Sequence, residues 1–216
     1  TLADLETEMH SPEFGGQIHP LQLALDVQAA LGDEDWLVID GGNTHFWSEI
    51  AINIAGWQGK KLGGILHPGT FSLLGVGVSF GIAAKNTHLD QNVVVISGDG
   101  AFLSGGLSIE AAFQEGRPIV VVIDNNGGLD CISQQQERLF TSGSHYATDF
   151  RDIPFHTMFE GLGGYGELVT DRGEVTAAVR RAIASGKTAC VNVKAKGVIS
   201  PIVLATTSKR DKASIE

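Results

Sequence analysis

The sequence predicts an α/β fold, a parallel sheet with helices on both faces, and three observations carry that prediction. Asn92-Val93-Val94-Val95-Ile96-Ser97 and Pro118-Ile119-Val120-Val121-Val122-Ile123-Asp124 are continuous β-branched runs, the pattern of strands covered on both faces. Residues 107–114 between them have helical composition and the length of a crossover, which parallel neighbours require. Strand and helix then alternate through most of the chain. Its 216 residues suffice for one such domain with a full core.

Residues 1–17 are acidic, contain Pro12, Gly15 and Gly16 and lack periodicity, so they are expected to be a linker into a domain spanning 18–196. His19-Pro20 opens a helix through Leu31, with Leu21, Leu23, Leu25 and Val27 supplying apolar faces. Trp36-Leu37-Val38-Ile39-Asp40 reads as a strand, and Gly41-Gly42-Asn43-Thr44 turns from its end into a short helix around Trp47. His67-Pro68-Gly69-Thr70 is a loop leading to a Gly/Ala-rich helix over 73–84, able to approach another backbone closely. Beyond the second apolar run come a helix at 157–161, a strand near 167–170, a helix over 174–185 and a strand at 188–193. Ser200-Pro201 stops that last strand, and residues 197–216 form a tail, either frayed or folded over the active site as a lid.

Bulk properties exclude several functions. A net charge of −10 argues against nucleic acid as a main partner. Cys131 and Cys190 make neither a metal spacing nor a disulfide framework, which suits a reducing cytosol, and Cys190 lies in a strand as a buried, inert thiol. No apolar stretch reaches membrane-spanning length and no secretory segment opens the sequence, so a soluble cytoplasmic protein is expected.

The two apolar runs end in Gly98-Asp99-Gly100 and Asn125-Asn126-Gly127-Gly128. If the strands pair directly, their carboxyl ends lie about 5 Å apart, on the edge where open α/β sheets bind ligands. A carboxylate, a side-chain amide and a free backbone carbonyl are hard oxygen donors, suited to Mg²⁺ or Ca²⁺. One protein charge leaves half of a divalent cation's charge to be met by something else, and a diphosphate fits that gap. Gly100, Ala101 and Phe102 follow, where backbone N–H groups can hold phosphate oxygens. Either piece alone also reads as an ordinary strand-end turn; the pair on adjacent strands favours a site.

Nucleotide motifs do not fit. Gly98-Asp99-Gly100 is followed by Ala101, Phe102 and Leu103, without the third glycine of a dinucleotide fingerprint. Gly186-Lys187-Thr188 lacks a glycine five residues before Gly186, and Gly75-Val76-Gly77 follows a loop rather than a strand.

Gly98-Asp99-Gly100, twenty-four residues, then Asn125-Asn126 resembles the thiamine diphosphate motif, and roughly residues 18–196 resemble the diphosphate-binding domain of the acetolactate synthase superfamily. That resemblance implies Mg²⁺ held by the Asp99 and Asn126 side chains and the Gly128 carbonyl. It places Leu74 between the two cofactor rings, the Ser72 carbonyl on the aminopyrimidine, and Gly42, Asn43 and Thr44 at the terminal phosphate. It also implies a glutamate, supplied by a separate pyrimidine-binding domain or larger subunit, that polarises the aminopyrimidine so that a carbanion forms at the thiazolium C2. No such domain is visible, so the chain resembles half an active site, expected to work in a homo- or hetero-oligomer, as a fragment or as the smaller chain of a split enzyme.

The turns at Gly42-Asn43-Thr44, Pro68-Gly69-Thr70-Phe71 and Asn125-Asn126-Gly127-Gly128 are more similar to those of oxalyl-CoA decarboxylases and 2-hydroxyacyl-CoA lyases than to those of acetolactate synthases. Gln134-Gln135-Gln136, Leu139-Phe140 and His145-Tyr146 instead resemble the acetolactate synthase segment, with Gln135 where a tryptophan is expected. The favoured activity is carbon–carbon cleavage of a 2-hydroxyacyl-CoA or related acyl-CoA. An acetolactate synthase-like enzyme or 2-oxo acid decarboxylase, a non-catalytic cofactor-binding subunit, and a Mg²⁺-dependent phosphatase with Asp99 as nucleophile stay open. Glu137 and His67 are the candidate proton-transfer groups, each with a plain alternative as a solvated or capping residue. His45, His10, His19, His88, His145 and His156 are expected to be structural or surface residues. Lys209, Arg210 and Lys212 in the tail read as a solvated charge run, or as partners of CoA phosphates.

Overall fold

A computed structural model describes residues 2–11, 14, 16–140 and 143–207. Six strands, β1 (Trp36–Asp40), β2 (Gly64–Leu66), β3 (Val93–Gly98), β4 (Val120–Asn125), β5 (Tyr165–Val169) and β6 (Ala189–Lys194), form one sheet in the order β2-β1-β3-β4-β6-β5. Every neighbouring pair is parallel. The expected α/β class, with helices on both faces, is what the chain adopts.

The alternation of side chains along each strand builds two apolar layers. Leu37, Ile39, Val94, Ile96, Val122 and Val191 pack on one face against α2 (Pro20–Ala30), α3 (Asn43–Trp57) and α9 (Val175–Ala184). Val38, Val93, Val95, Val121 and Ile123 pack on the other against α4 (Gly77–Thr87), α5 (Asp99–Gly105) and α8 (Phe155–Gly161). Each fully buried Val or Ile contributes roughly 1.5–3 kcal/mol relative to exposure. The chain leaves β1 toward β2 and leaves β3 toward β4, in opposite directions along the sheet. A switch point therefore opens between the carboxyl ends of β1 and β3, the place where such sheets bind ligands.

Several boundaries differ from expectation, each for a local reason. Residues 2–9, expected to be aperiodic, form α1 (Leu2–Met9), whose Leu5 and Met9 pack on the core while Arg172 donates to the Met9 carbonyl. Three-residue β2 was not anticipated; edge strands this short carry no apolar run. The helix expected from residue 73 starts only at Gly77. The Asp40 carboxylate, at the end of β1, accepts from the Gly75 N–H at 3.1 Å and the Gly77 N–H at 2.7 Å, and Gly75 takes the left-handed φ of +88°. Gly98-Asp99-Gly100, read as a turn, is the cap and first turn of α5. A 3₁₀ turn over Gly106–Ile109 separates α5 from α6 (Glu110–Gln114), so the crossover is broken rather than one helix.

Ser200-Pro201 ends the strand region as expected but also opens α10 (Pro201–Thr207), with the Ser200 Oγ accepting the Val203 N–H at 3.2 Å. Lys209, Arg210, Lys212 and the end of the suggested lid, from residue 208 on, lie outside the described residues. Among the described residues, no helix is long and apolar enough to cross a membrane. Cys190 is fully buried, its thiol pushed well up by burial.

Candidate functional site

β3 delivers Asp99 to the first turn of α5, and β4 delivers Asn126, Gly127 and Gly128 beside it. The Asp99 carboxylate joins the two strand ends. Its Oδ2 accepts from the Gly127 N–H at 2.8 Å and the Gly128 N–H at 3.1 Å, and its Oδ1 from the Gly100 N–H at 2.7 Å. Gly127 reaches this position with φ of +85°, and a Cβ on Gly128 would stand 2.5 Å from the Thr148 carbonyl oxygen. The chain then pairs back on itself, the Gly127 carbonyl accepting from Phe150 and the Leu129 N–H donating to Thr148. That bridge leaves the Gly128 carbonyl out of its ladder. Asp99 is 2% exposed, and burial pushes its carboxyl up to about 6 against the pull of those N–H groups.

Three more acids crowd the same edge. Asp124, the penultimate residue of β4, is buried; its Oδ2 accepts from the Thr44 hydroxyl at 2.8 Å and its Oδ1 has no partner. Burial raises it to about 7, helped by the charges of Asp99 and Asp130. Asp130 opens α7 (Asp130–Leu139) and accepts from the Asn43 amide at 3.0 Å and the Gln134 amide at 2.9 Å. Burial raises Asp130 and Asp40 as well. The Asn43 side-chain Oδ1 accepts the Ser200 N–H at 3.2 Å, fixing α3's first turn against the start of α10.

A cleft of about 340 Å³ opens at the switch point, lined by Gly42, Asn43, Thr44, Ser72, Leu74, Gly98, Asp99, Gly100, Ala101, Asn126 and Gly128. These are all the residues the sequence offered for the cofactor and metal except Phe102. The Phe102 ring points into the core, its centroid 5.5 Å from that of Phe155. Ser72 enters the cleft through a left-handed backbone, φ +47°, and Leu74 is 40% exposed at its wall. Asp130, Cys131 and His45 also line the cleft and were not anticipated there. Asp124 was missed too, although an acid closing a strand buried on both faces is itself a signal.

Glu137 and His67 do not join this group. Glu137, on α7, accepts from the Gly143 N–H at 3.2 Å and pairs with His145 Nε2 at 2.9 Å. His145 also pairs through Nδ1 with Asp149, and the two carboxylates raise the imidazole. His67 follows β2 on the surface, 5.5 Å from His45 between ring centroids.

The family model for the C-terminal TPP-binding domain of thiamine pyrophosphate enzymes matches residues 40–193. A probable acetolactate synthase of Mycobacterium bovis is 32% identical over 178 residues, covering 82% of this chain and 31% of that protein. The 2-hydroxyacyl-CoA lyase 2 of Bos taurus is 29% identical over 159 residues, 73% of this chain and 24% of that protein. The thiamine diphosphate-dependent 4-hydroxybenzoylformate decarboxylase of Rhodococcus jostii shares the fold, with a TM-score of 0.71 at 24% identity over 86% of this chain and 34% of that one. The chain thus matches only about a quarter to a third of the length of these proteins. The matched span contains both strand ends and the acids between them, and the chain belongs to the thiamine pyrophosphate enzymes as a C-terminal TPP-binding domain.

Proposed function

We propose that this chain is the diphosphate- and Mg²⁺-binding half of a thiamine diphosphate-dependent carbon–carbon lyase acting on a 2-hydroxyacyl-CoA or related acyl-CoA. The observation that carries the reading is the Asp99 carboxylate, which links both strand ends inside the cleft. When bound, the cofactor supplies a nucleophilic carbon and an electron sink for the bond-breaking step. The residues of this chain do the holding. The Asp99 and Asn126 side chains and the Gly128 carbonyl would ligate Mg²⁺, a set of hard oxygens suited to that ion. Four acids raised by burial, one with an unpartnered oxygen, are relieved by a divalent cation among them.

Gly42, Asn43 and Thr44 would hold the terminal phosphate, with backbone groups of Gly98, Gly100, Ala101 and Phe102 near the diphosphate. Ser72 would orient the aminopyrimidine and Leu74 would separate the rings. The activating glutamate comes from a pyrimidine-binding domain or larger subunit, in a homo- or hetero-oligomer of the cytosol, a setting that two free thiols support. Equilibrium dialysis of the full chain tests the first half: thiamine diphosphate is retained only with Mg²⁺, and retention independent of Mg²⁺ or of Asp99 overturns the reading. The assembled enzyme tests the second half, because cleavage of a 2-hydroxyacyl-CoA is expected. Condensation of 2-oxo acids would instead favour an acetolactate synthase-like activity, the reading supported by the 32% identity to the Mycobacterium bovis protein.

A further inference from the structure

One cluster of metal-binding side chains lies beside the cleft and takes no part in the chemistry above. His45 and Glu49 are four residues apart on α3 and so share a helix face, the spacing by which a helix presents two ligands to one ion. His67 follows the carboxyl end of β2 and brings a second imidazole to them. One ligand atom from each of the three lies within 4.8 Å of the others. His45 Nε2 and Glu49 Oε1 are already 2.9 Å apart.

We propose that His45, Glu49 and His67 form a second metal site, for a borderline divalent ion of the Zn²⁺ class rather than for Mg²⁺. Two imidazoles and one carboxylate suit Zn²⁺, whereas Mg²⁺ takes oxygen and keeps most of its water. Three protein ligands leave the fourth position for water. Ligand atoms about 2.0–2.1 Å from a tetrahedral ion stand roughly 3.4 Å from one another. The His45–Glu49 contact therefore opens by about half an ångström, and the widest gap closes by about 1.4 Å.

The burial pattern allows that adjustment. His45 is 5% exposed and fixed on its helix, whereas His67 is exposed on a turn. The His67 Nδ1 accepts only a long bond from the Gly69 N–H, 3.2 Å, which ligation by that ring gives up. Glu49 and His67 also line a shallow cavity of about 330 Å³ with Ile39, Ile52, Asn53 and Ile65, an entry path for the ion. The bound ion would fasten the turn that leads to Ser72 and Leu74 onto the helix that begins with Asn43 and Thr44. Both segments line the cleft, so the ion acts as a clip on its wall.

Cobalt(II) titration of the untagged full chain in excess Mg²⁺ tests this without any turnover. One equivalent is expected to bind with the intense visible absorption of four-coordinate cobalt and to be displaced by one equivalent of Zn²⁺. Glu49→Gln and His67→Ala, both on solvent-accessible side chains, each weaken binding by more than the roughly 10- to 100-fold that loss of an outer partner costs. Asp99→Asn leaves the cobalt signal unchanged. Absence of the band, competition by Mg²⁺, or a band that survives both Glu49→Gln and His67→Ala overturns the proposal.

Discussion

The two edges of the sheet treat charge in opposite ways. At the carboxyl edge Asp40, Asp99, Asp124 and Asp130 are gathered out of water, every one raised by burial, and Asp124 keeps an oxygen without a partner. At the amino edge, polar side chains close turns. Lys85 donates to the Leu89 and Gln91 carbonyls at 2.7 and 2.8 Å, and Asp35 accepts from the Gly32 and Asn92 N–H groups. One edge stores unfavourable electrostatics that a bound cation would relieve; the other spends its charge on holding the fold together. Acids raised by burial and gathered at a cleft mark a candidate site, and this contrast separates it from the scaffold.

Removing the Asp99 charge is the strongest way to break the comparison. The folded carboxyl sits at about 6 against an ordinary 3.8, so the native chain binds more protons than the unfolded chain between those values. Its contribution to stability is therefore complete below about pH 4 and lost as pH rises through about 6. His19, lowered to about 4 by burial, slopes the other way over much of the same window, so the variant must be compared with the parent chain. In metal-free urea unfolding, Asp99→Asn is expected to gain about 3 kcal/mol on the parent between pH 4 and pH 7. A gain that does not grow with pH would place Asp99 with the scaffold. The same substitution is expected to weaken Mg²⁺-dependent retention of thiamine diphosphate by roughly 100-fold, because charge-assisted contacts contribute about 1.5–3 kcal/mol each. Stability and binding thus move in opposite directions at one residue.

How much of this was legible beforehand follows the same division. Val93–Gly98 and Val120–Asn125 were readable because fully buried strands need unbroken apolar runs, and the glycine, aspartate and asparagine at their ends stand out against them. Asp124 was hidden in the strand that carries it; its role depends on Thr44 and Asp99, brought to it by the β1–β3–β4 order. The α5 start was hidden because Gly98-Asp99-Gly100 has turn composition, and what makes it helical is a carboxylate bonded to N–H groups 28 and 29 residues away. Glu137 and His67 lie outside the cleft lining for a related reason. Sequence puts them after the right strand ends, but α7 and the turn after β2 direct them toward His145 and His45.

The amino edge supplies the smaller tests. Lys85 is 8% exposed, and its pKa is lowered chiefly by burial, yet the Leu89 and Gln91 acceptors are backbone carbonyls. Lys85→Met keeps the apolar stem and removes both bonds, and is expected to cost about 2 kcal/mol in urea unfolding. Thiamine diphosphate retention should not change. A loss of cofactor binding would mean that the two edges are mechanically coupled through α4.

The smallest effect is expected at Asp35. Its Oδ1 accepts from the Asn92 N–H at 3.2 Å and the Asn92 amide at 2.9 Å, and its Oδ2 from the Gly32 N–H at 2.7 Å. That geometry superficially repeats Asp99, one carboxylate joining the entries of two strands. The difference is water. Asp35 is half-buried at a turn, so its donors can find solvent when the carboxylate is gone, whereas Asp99 is itself 2% exposed. Asp35→Ala is therefore expected to cost about 1 kcal/mol in urea unfolding, with no effect on metal or cofactor retention. A gain in stability, as expected for Asp99→Asn, would show that joining strand ends by a carboxylate is strained wherever it occurs, and burial would no longer be the property that marks the site.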